Sequence, residues 1–224
     1  EHPYRSSFSL DAISQPTVGV QVGGPFGTGV AGGIAALWGD QLSDRQIYTV
    51  LQANGTVKDI GGAVQYSNLK RRWNWSVGLE HIPYLTGYTQ LGDTTVAGNI
   101  PATNYYQVLQ RIYIDQAALN TQYPFSTTRR LEMGVSATRL GYNSEIDRFT
   151  LVGNQVVDEG RNTNASTIPS TYFMQTDIAL VGDNSNAAYV GPVSGRRWRL
   201  DLNPTFGKLN YTAFLADYRR YVFM

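Results

Sequence analysis

The chain has 224 residues, no cysteine and a formal net charge of +1. With no thiols there is no disulfide framework and no cysteine-based metal site, and the near-neutral balance argues against a nucleic-acid partner, whose footprint is a marked basic excess. No apolar run approaches the roughly 18–20 residues of a membrane-spanning helix.

Helical periodicity is nearly absent, and alternating segments separated by Gly, Asn, Asp and Pro clusters dominate. The pattern predicts ten strands in one domain over 1–224. The first covers 8–22, broken near Pro16, and the next three cover 27–38, 46–53 and 60–69. The fifth, 73–82, alternates strictly: Trp73, Trp75, Val77 and Leu79 face one way, and Asn74, Ser76, Gly78 and Glu80 the other. A long strand over 105–123 follows, then 130–142, 172–181, 196–206 and 209–221. In the ninth, Trp198, Leu200, Leu202, Pro204 and Phe206 oppose Arg197, Arg199, Asp201, Asn203 and Thr205.

The connections sort into two kinds. Lys70-Arg71-Arg72 and 124–129 are short, whereas 83–104 and 143–171 are long and rich in Gly, Asn, Thr and Pro. The second long one holds RFTLVGNQVVDE, which predicts a hairpin of its own. Three lysines stand against fifteen arginines. The arginine pairs 71–72, 129–130, 196–197 and 219–220 all adjoin connections after even-numbered strands. Short turns at one end and long loops at the other are the plan of an outer-membrane barrel. Strand length and aromatic residues near strand ends (Trp73, Trp75, Trp198, Tyr84, Tyr105, Tyr106 and Tyr172) point the same way. Alternation alone also fits a soluble β-sandwich with core tryptophans.

On the membrane reading Asn74, Ser76, Glu80, Glu132, Arg197, Arg199 and Asp201 face a polar lumen, with the arginines pairing to Glu80, Glu132, Asp201 and Asp217 across strands. Trp73, Trp75 and Trp198 sit at the lipid interface, and Lys70, Arg71 and Arg72 form a periplasmic basic rim. Neither histidine builds a catalytic centre: His2 is near the chain start, and His81 shares the parity of Trp75 and Leu79, opposite to Ser76. DTTVAGN and DNSN lack the closing glutamate of a calcium loop, and no helix follows the glycines at Gly23-Gly24 or in GTGVAGG. No enzyme activity, cofactor or metal is expected. Both ends of the sequence, with no signal peptide ahead of Glu1 and an apolar stop at Met224, are read as cut points of a longer chain.

The stretches FGTGVAGGIAALWGDQLSDRQIYTVLQANGTVKDIGGAVQYSNLKRRWNWSVGLEHIPY, YPFSTTRRLEMGVSATRLGY and VGPVSGRRWRLDLNPTFGKLNYTAFLADYRRYVF resemble the barrel found C-terminal to TolB-like β-propellers in bacteria. That barrel is similar to the BamA-like, surface-antigen superfamily, and the likeness corresponds to the first ten strands of its plan. It implies an all-β, antiparallel transmembrane β-barrel, or a large part of one, in the bacterial outer membrane. The implied role is membrane anchoring and the assembly or translocation of a protein partner. Its partners would be outer-membrane lipid and other protein chains, or the rest of its own chain. The family's inward-folding loop carries an Arg-Gly motif, and no Arg-Gly dipeptide occurs here. Two further classes stay open: a structural subunit of a larger cell-envelope assembly, and a soluble β-sandwich binding module.

Overall fold

A computed structural model describes residues 7–21, 29–163, 168–188 and 191–222. His2, Gly23-Gly24 and Met224 lie outside them. The described residues form thirteen β-strands and no α-helix: β1 (Ser9–Ile13), β2 (Thr17–Gln21), β3 (Gly29–Gly39), β4 (Arg45–Asn54), β5 (Ile60–Asn68), β6 (Asn74–Val96), β7 (Ile100–Ser126), β8 (Arg129–Val152), β9 (Gln155–Asn162), β10 (Thr171–Asp183), β11 (Asn186–Ala188), β12 (Gly191–Gly207) and β13 (Tyr211–Tyr221). A short 3-10 turn, Val57–Asp59, precedes β5.

The strands form one antiparallel sheet in which sequence neighbours pair. β1 and β2 both pair with β3, flanking the break at Pro16, and the order continues β3-β4-β5-β6-β7-β8-β10-β12-β13. β9 pairs the far half of β8, and β11 joins only the first residues of β12. No ladder joins β13 to β1 or β2 among the described residues, so the sheet is open at both edges. Counting β1 and β2 as one interrupted strand, it has ten ladder positions.

The two long loops are the main correction to the sequence reading. Residues 83–104 are not a loop. β6 runs unbroken to Val96 and pairs with β7 from Asn74↔Gln122 to Val96↔Ile100. The turn is only Ala97-Gly98-Asn99, where Gly98 (φ 83°) and Asn99 (φ 60°) take the left-handed conformation those residues tolerate best. Gly, Thr and Asn on both faces hide the alternation, so the register here is set by the turn and the ladder. DTTVAGN is therefore the tip of a hairpin. The hairpin expected within 143–171 forms as β8–β9, turning at Gly153 (φ 60°). Trp73 falls in the turn before β6, one residue outside the strand.

Burial is inverted relative to a water-soluble domain. Fully buried apolar side chains are few (Ala102, Val108, Ala179 and Val181), while Asp40, Asp59, Arg111, Thr138, Glu145, Thr150, Asp201 and Thr205 are all buried. The accessible surface is 15137 Å². A compact 24.8 kDa chain would expose about 10,000 Å². The chain is thus a broad single layer whose apolar side chains lie largely uncovered.

Candidate functional site

Residues paired directly across an antiparallel ladder share a face, so the registers define two faces. Asn74 pairs with Gln122, Gln122 with Glu132, Glu132 with Ala179, and Ala179 with Asp201. The next row is Ser76–Asn120–Gly134–Asp177. Glu80 lies further along β6, and Arg197 and Arg199 are four and two residues before Asp201 on β12. All seven polar positions singled out from the sequence therefore share one face.

An ion network ties this face across three strands. Arg199 donates to Glu132 Oε2 at 2.6 Å and to Asp201 Oδ2 at 2.8–2.9 Å. Arg130 donates to Glu132 Oε1 at 2.5 Å, and Asn203 to Asp201 Oδ1 at 2.9 Å. Arg197 pairs with Asp183 at 3.1 Å, and Arg219 with Asp217 at 2.7 Å. Glu80 makes no ion pair among the described residues. Beside the network lies a cavity of about 360 Å³, walled by Ser67, Asn74, Ser76, Asn120, Gln122, Glu132 and Asp177 among others.

The opposite face is apolar and uncovered. Val77, Leu79, Leu119, Met174, Ile178, Leu180, Leu200, Leu202, Phe206 and Phe214 are all exposed, Leu79 by 58% and Phe214 by 69%. A groove of about 990 Å³ is lined among others by Val64, Leu79, Ala117, Ala137, Met174 and Phe206.

Aromatic rings and basic residues cluster at the end of the sheet that holds the β5–β6 and β7–β8 turns. Trp73 packs on Tyr123 and Trp75 on Tyr66, each with ring centroids 5.4 Å apart. Trp198 lies over Gly182, where a Cβ would stand 2.3 Å from its indole ring; only glycine leaves it that space. Lys70 and Arg71 are exposed in the turn. Arg72 is committed instead: it donates to the Pro124 and Phe125 carbonyls at 2.9 Å and sits 4.9 Å from the Tyr123 ring centroid. With its amide nitrogen turned toward the chain, Asn74 donates to the Arg71 carbonyl at 2.7 Å and accepts from Gln122 at 3.1 Å. Part of the rim foreseen from sequence is thus a clamp between neighbouring turns.

The apolar face stops at a polar row. His81 Nδ1 lies 2.5 Å from Asp115 Oδ1, and Arg139 donates to Asp115 Oδ2 at 2.8 Å. His81 also stacks on Tyr113. No hydroxyl is hydrogen-bonded to His81 among the described residues. Sequence reasoning placed His81 at a strand end but missed Asp115 and Arg139, whose nearness depends on the β6–β7–β8 register.

Beyond that row the same face turns ionic. Arg111 Nε donates to Asp59 Oδ1 at 2.7 Å, with the two side chains 3% and 1% exposed. Glu145 accepts from Lys58 Nζ at 2.5 Å and lies 3.0 Å from Arg111 Nη1. The Val57–Asp59 turn is thereby fastened onto the β7–β8 extension. Burial pushes the Glu145 carboxyl up, but the Lys58 hydrogen bond and the Arg111 guanidinium outweigh it and hold the group below the usual carboxylate range. A carboxylate depressed on folding contributes stability that is full above its unfolded value, about 4.3. That contribution is lost as pH falls through the folded value. Amide-exchange protection of the Asp59 N–H, which donates to the Thr56 carbonyl, is therefore expected to hold at neutral pH and drop below about pH 4. Unchanged protection at lower pH would show that the ion cluster does not fasten the turn.

Compared with family models, with curated proteins and with solved structures, the chain matches none.

Proposed function

We propose that the chain is an outer-membrane β-sheet that lies in lipid through its apolar face and closes into a barrel around its polar face. In this reading it anchors a larger envelope protein and takes part in the assembly or translocation of a protein partner. One observation carries the reading: large apolar side chains are exposed along one face, while the opposite face holds paired, half-buried charges such as Arg199–Glu132. In water that arrangement forfeits the hydrophobic driving force; in a bilayer it is the favourable one. The β12 segment Trp198–Phe206 presents its apolar side chains over nine residues, close to the roughly 9–11 of a tilted crossing. Ten ladder positions make the two edges antiparallel to each other, so closure needs only an ordinary ladder. Open edges are not tolerated in hydrocarbon.

The same open edges favour a second reading, a subunit whose sheet is completed by another chain. A β-sandwich finds no counterpart among the described residues, because no second sheet covers the apolar face. The resemblance to barrels of the BamA-like superfamily supports the proposed location. Urea-unfolded protein diluted into phospholipid vesicles is expected to regain strand circular dichroism and float with the lipid. The same dilution into buffer should precipitate. A monodisperse, folded protein in lipid-free buffer would sink the membrane reading. For the partner role, depletion should alter the profile of other outer-membrane barrels, and an unchanged profile would leave anchoring alone.

A further inference from the structure

Three carboxylates, Glu132, Asp177 and Asp201, face two guanidiniums, Arg130 and Arg199, on the polar face. Both oxygens of Glu132 are occupied by arginines, and Asp201 is held by Arg199 and Asn203. Asp177 is the one left over: half-buried, it accepts no hydrogen bond and forms no ion pair among the described residues. Arg199 acts on it only through space. The network around it therefore has one more carboxyl than it has guanidiniums.

Asp177 does not stand alone. It is directly opposite Gly134, which is opposite Asn120, which is opposite Ser76. A Cβ on Gly134 would lie 2.1 Å from Asp177 Oδ1 and 2.7 Å from Asn120 Oδ1. Two acceptors on different strands thus crowd together over Gly134, where only the absence of a side chain lets them approach. Asn120 likewise makes no hydrogen bond with its side chain among the described residues. Both line the cavity of about 360 Å³, together with Ser76, a volume at the lower end of ligand pockets.

We propose that this cavity binds a primary ammonium group, which donates to Asp177 and Asn120 beside Gly134, with Ser76 on the wall of the same cavity. A compact head with three donors suits acceptors that crowd together. A guanidinium prefers two parallel bonds to one carboxylate, and with the other two acids spent on arginines the site offers too little charge for a divalent ion. The ammonium can arrive on a free amine or on the lysine side chain of a partner. The inference rests on the polar face alone and does not require the membrane reading.

The test uses the full chain in non-ionic detergent, with n-butylamine and Nα-acetyl-lysine amide as probes and butyltrimethylammonium as the control that keeps charge but has no N–H. Saturation-transfer NMR should detect at least one primary amine binding in the millimolar range or tighter, and the control should not compete with it. Which probe binds separates the free-amine source from the lysine source. Asp177→Asn is expected to weaken binding at least tenfold, because a charge-assisted hydrogen bond is lost. Gly134→Ala puts a methyl group against both acceptors without touching a charge and should weaken it similarly, with the circular dichroism of the sheet unchanged. Equal binding by Asp177→Asn, or displacement by the quaternary control, would overturn the proposal. So would silence from both primary amines, the result expected if the Asn120 amide turned its nitrogen to Asp177 and satisfied the pair internally.

Discussion

Replacing Arg111 by methionine is expected to destabilise the folded chain by about 3–5 kcal/mol, the range for removing one partner of a buried ion pair. Asp59, 1% exposed, would lose its one guanidinium partner among the described residues and keep the Thr56 hydroxyl. Glu145 would still hold Lys58 and, more distantly, Arg161 at 3.5 Å. Most of the cost therefore comes from Asp59, and Arg111→Met combined with Asp59→Asn should recover a large part of it. Equilibrium urea unfolding of the full chain measures both variants. A loss under about 1 kcal/mol for the single change would place the pair among solvated surface bridges.

Leu202→Arg should cost about 2–4 kcal/mol when the chain is unfolded from lipid vesicles, the range for arginine on the lipid face near the bilayer midplane. Leu202 is central in β12, flanked on the same face by Ile178 and Phe214, all three exposed. Glu80→Leu on the opposite face provides the contrast. Glu80 is half-buried, opposite Gln116 on β7 and Ala63 on β5, and its replacement should shift stability by well under the Leu202→Arg figure. A barrel predicts the large loss for arginine outside and the small one for leucine inside. A protein folded in water would have to cover its apolar face, so arginine there is costly too. Glu80→Leu separates the two, since a surface leucine adds an apolar patch and promotes aggregation while a wide lumen absorbs it.

Strand existence was legible wherever one face is uniformly apolar. β12 and the lower half of β6 show strict alternation, and their two faces could be assigned residue by residue. The upper half of β6, beyond Pro83, was misread as a loop because its side chains carry no two-faced signal; its pairing with β7 depends on a three-residue turn. The shared face of Asn74, Glu132 and Asp201 was legible from parity, since every strand between them pairs in an unshifted register over those rows. What a single strand cannot show is who meets whom across it. Arg199 finds Glu132 although β10 lies between their strands, and His81 finds Asp115 and Arg139 through two ladders. Arg72 looked like a free rim charge because its partners are backbone carbonyls of another turn. Asp177 carried no signal at all: its role depends on the glycine opposite and on two arginines already occupied by other acids.

The ladder order also has a kinetic meaning. With β1 and β2 counted as one strand, and apart from the short β9 and β11 pieces, every strand is laid against its predecessor in the chain, so most new pairings close short loops and cost little entropy. The β6–β7 hairpin, with its three-residue turn and unbroken register, is the natural nucleus, and pairing can zip outward from it toward both edges. In the proposed barrel the final ladder would join β13 to β1 and β2, the contact with the greatest sequence separation among the described strands. Closure would then be the slow step, and until it happened β13 would present a row of free backbone donors and acceptors to whichever strand reached it first.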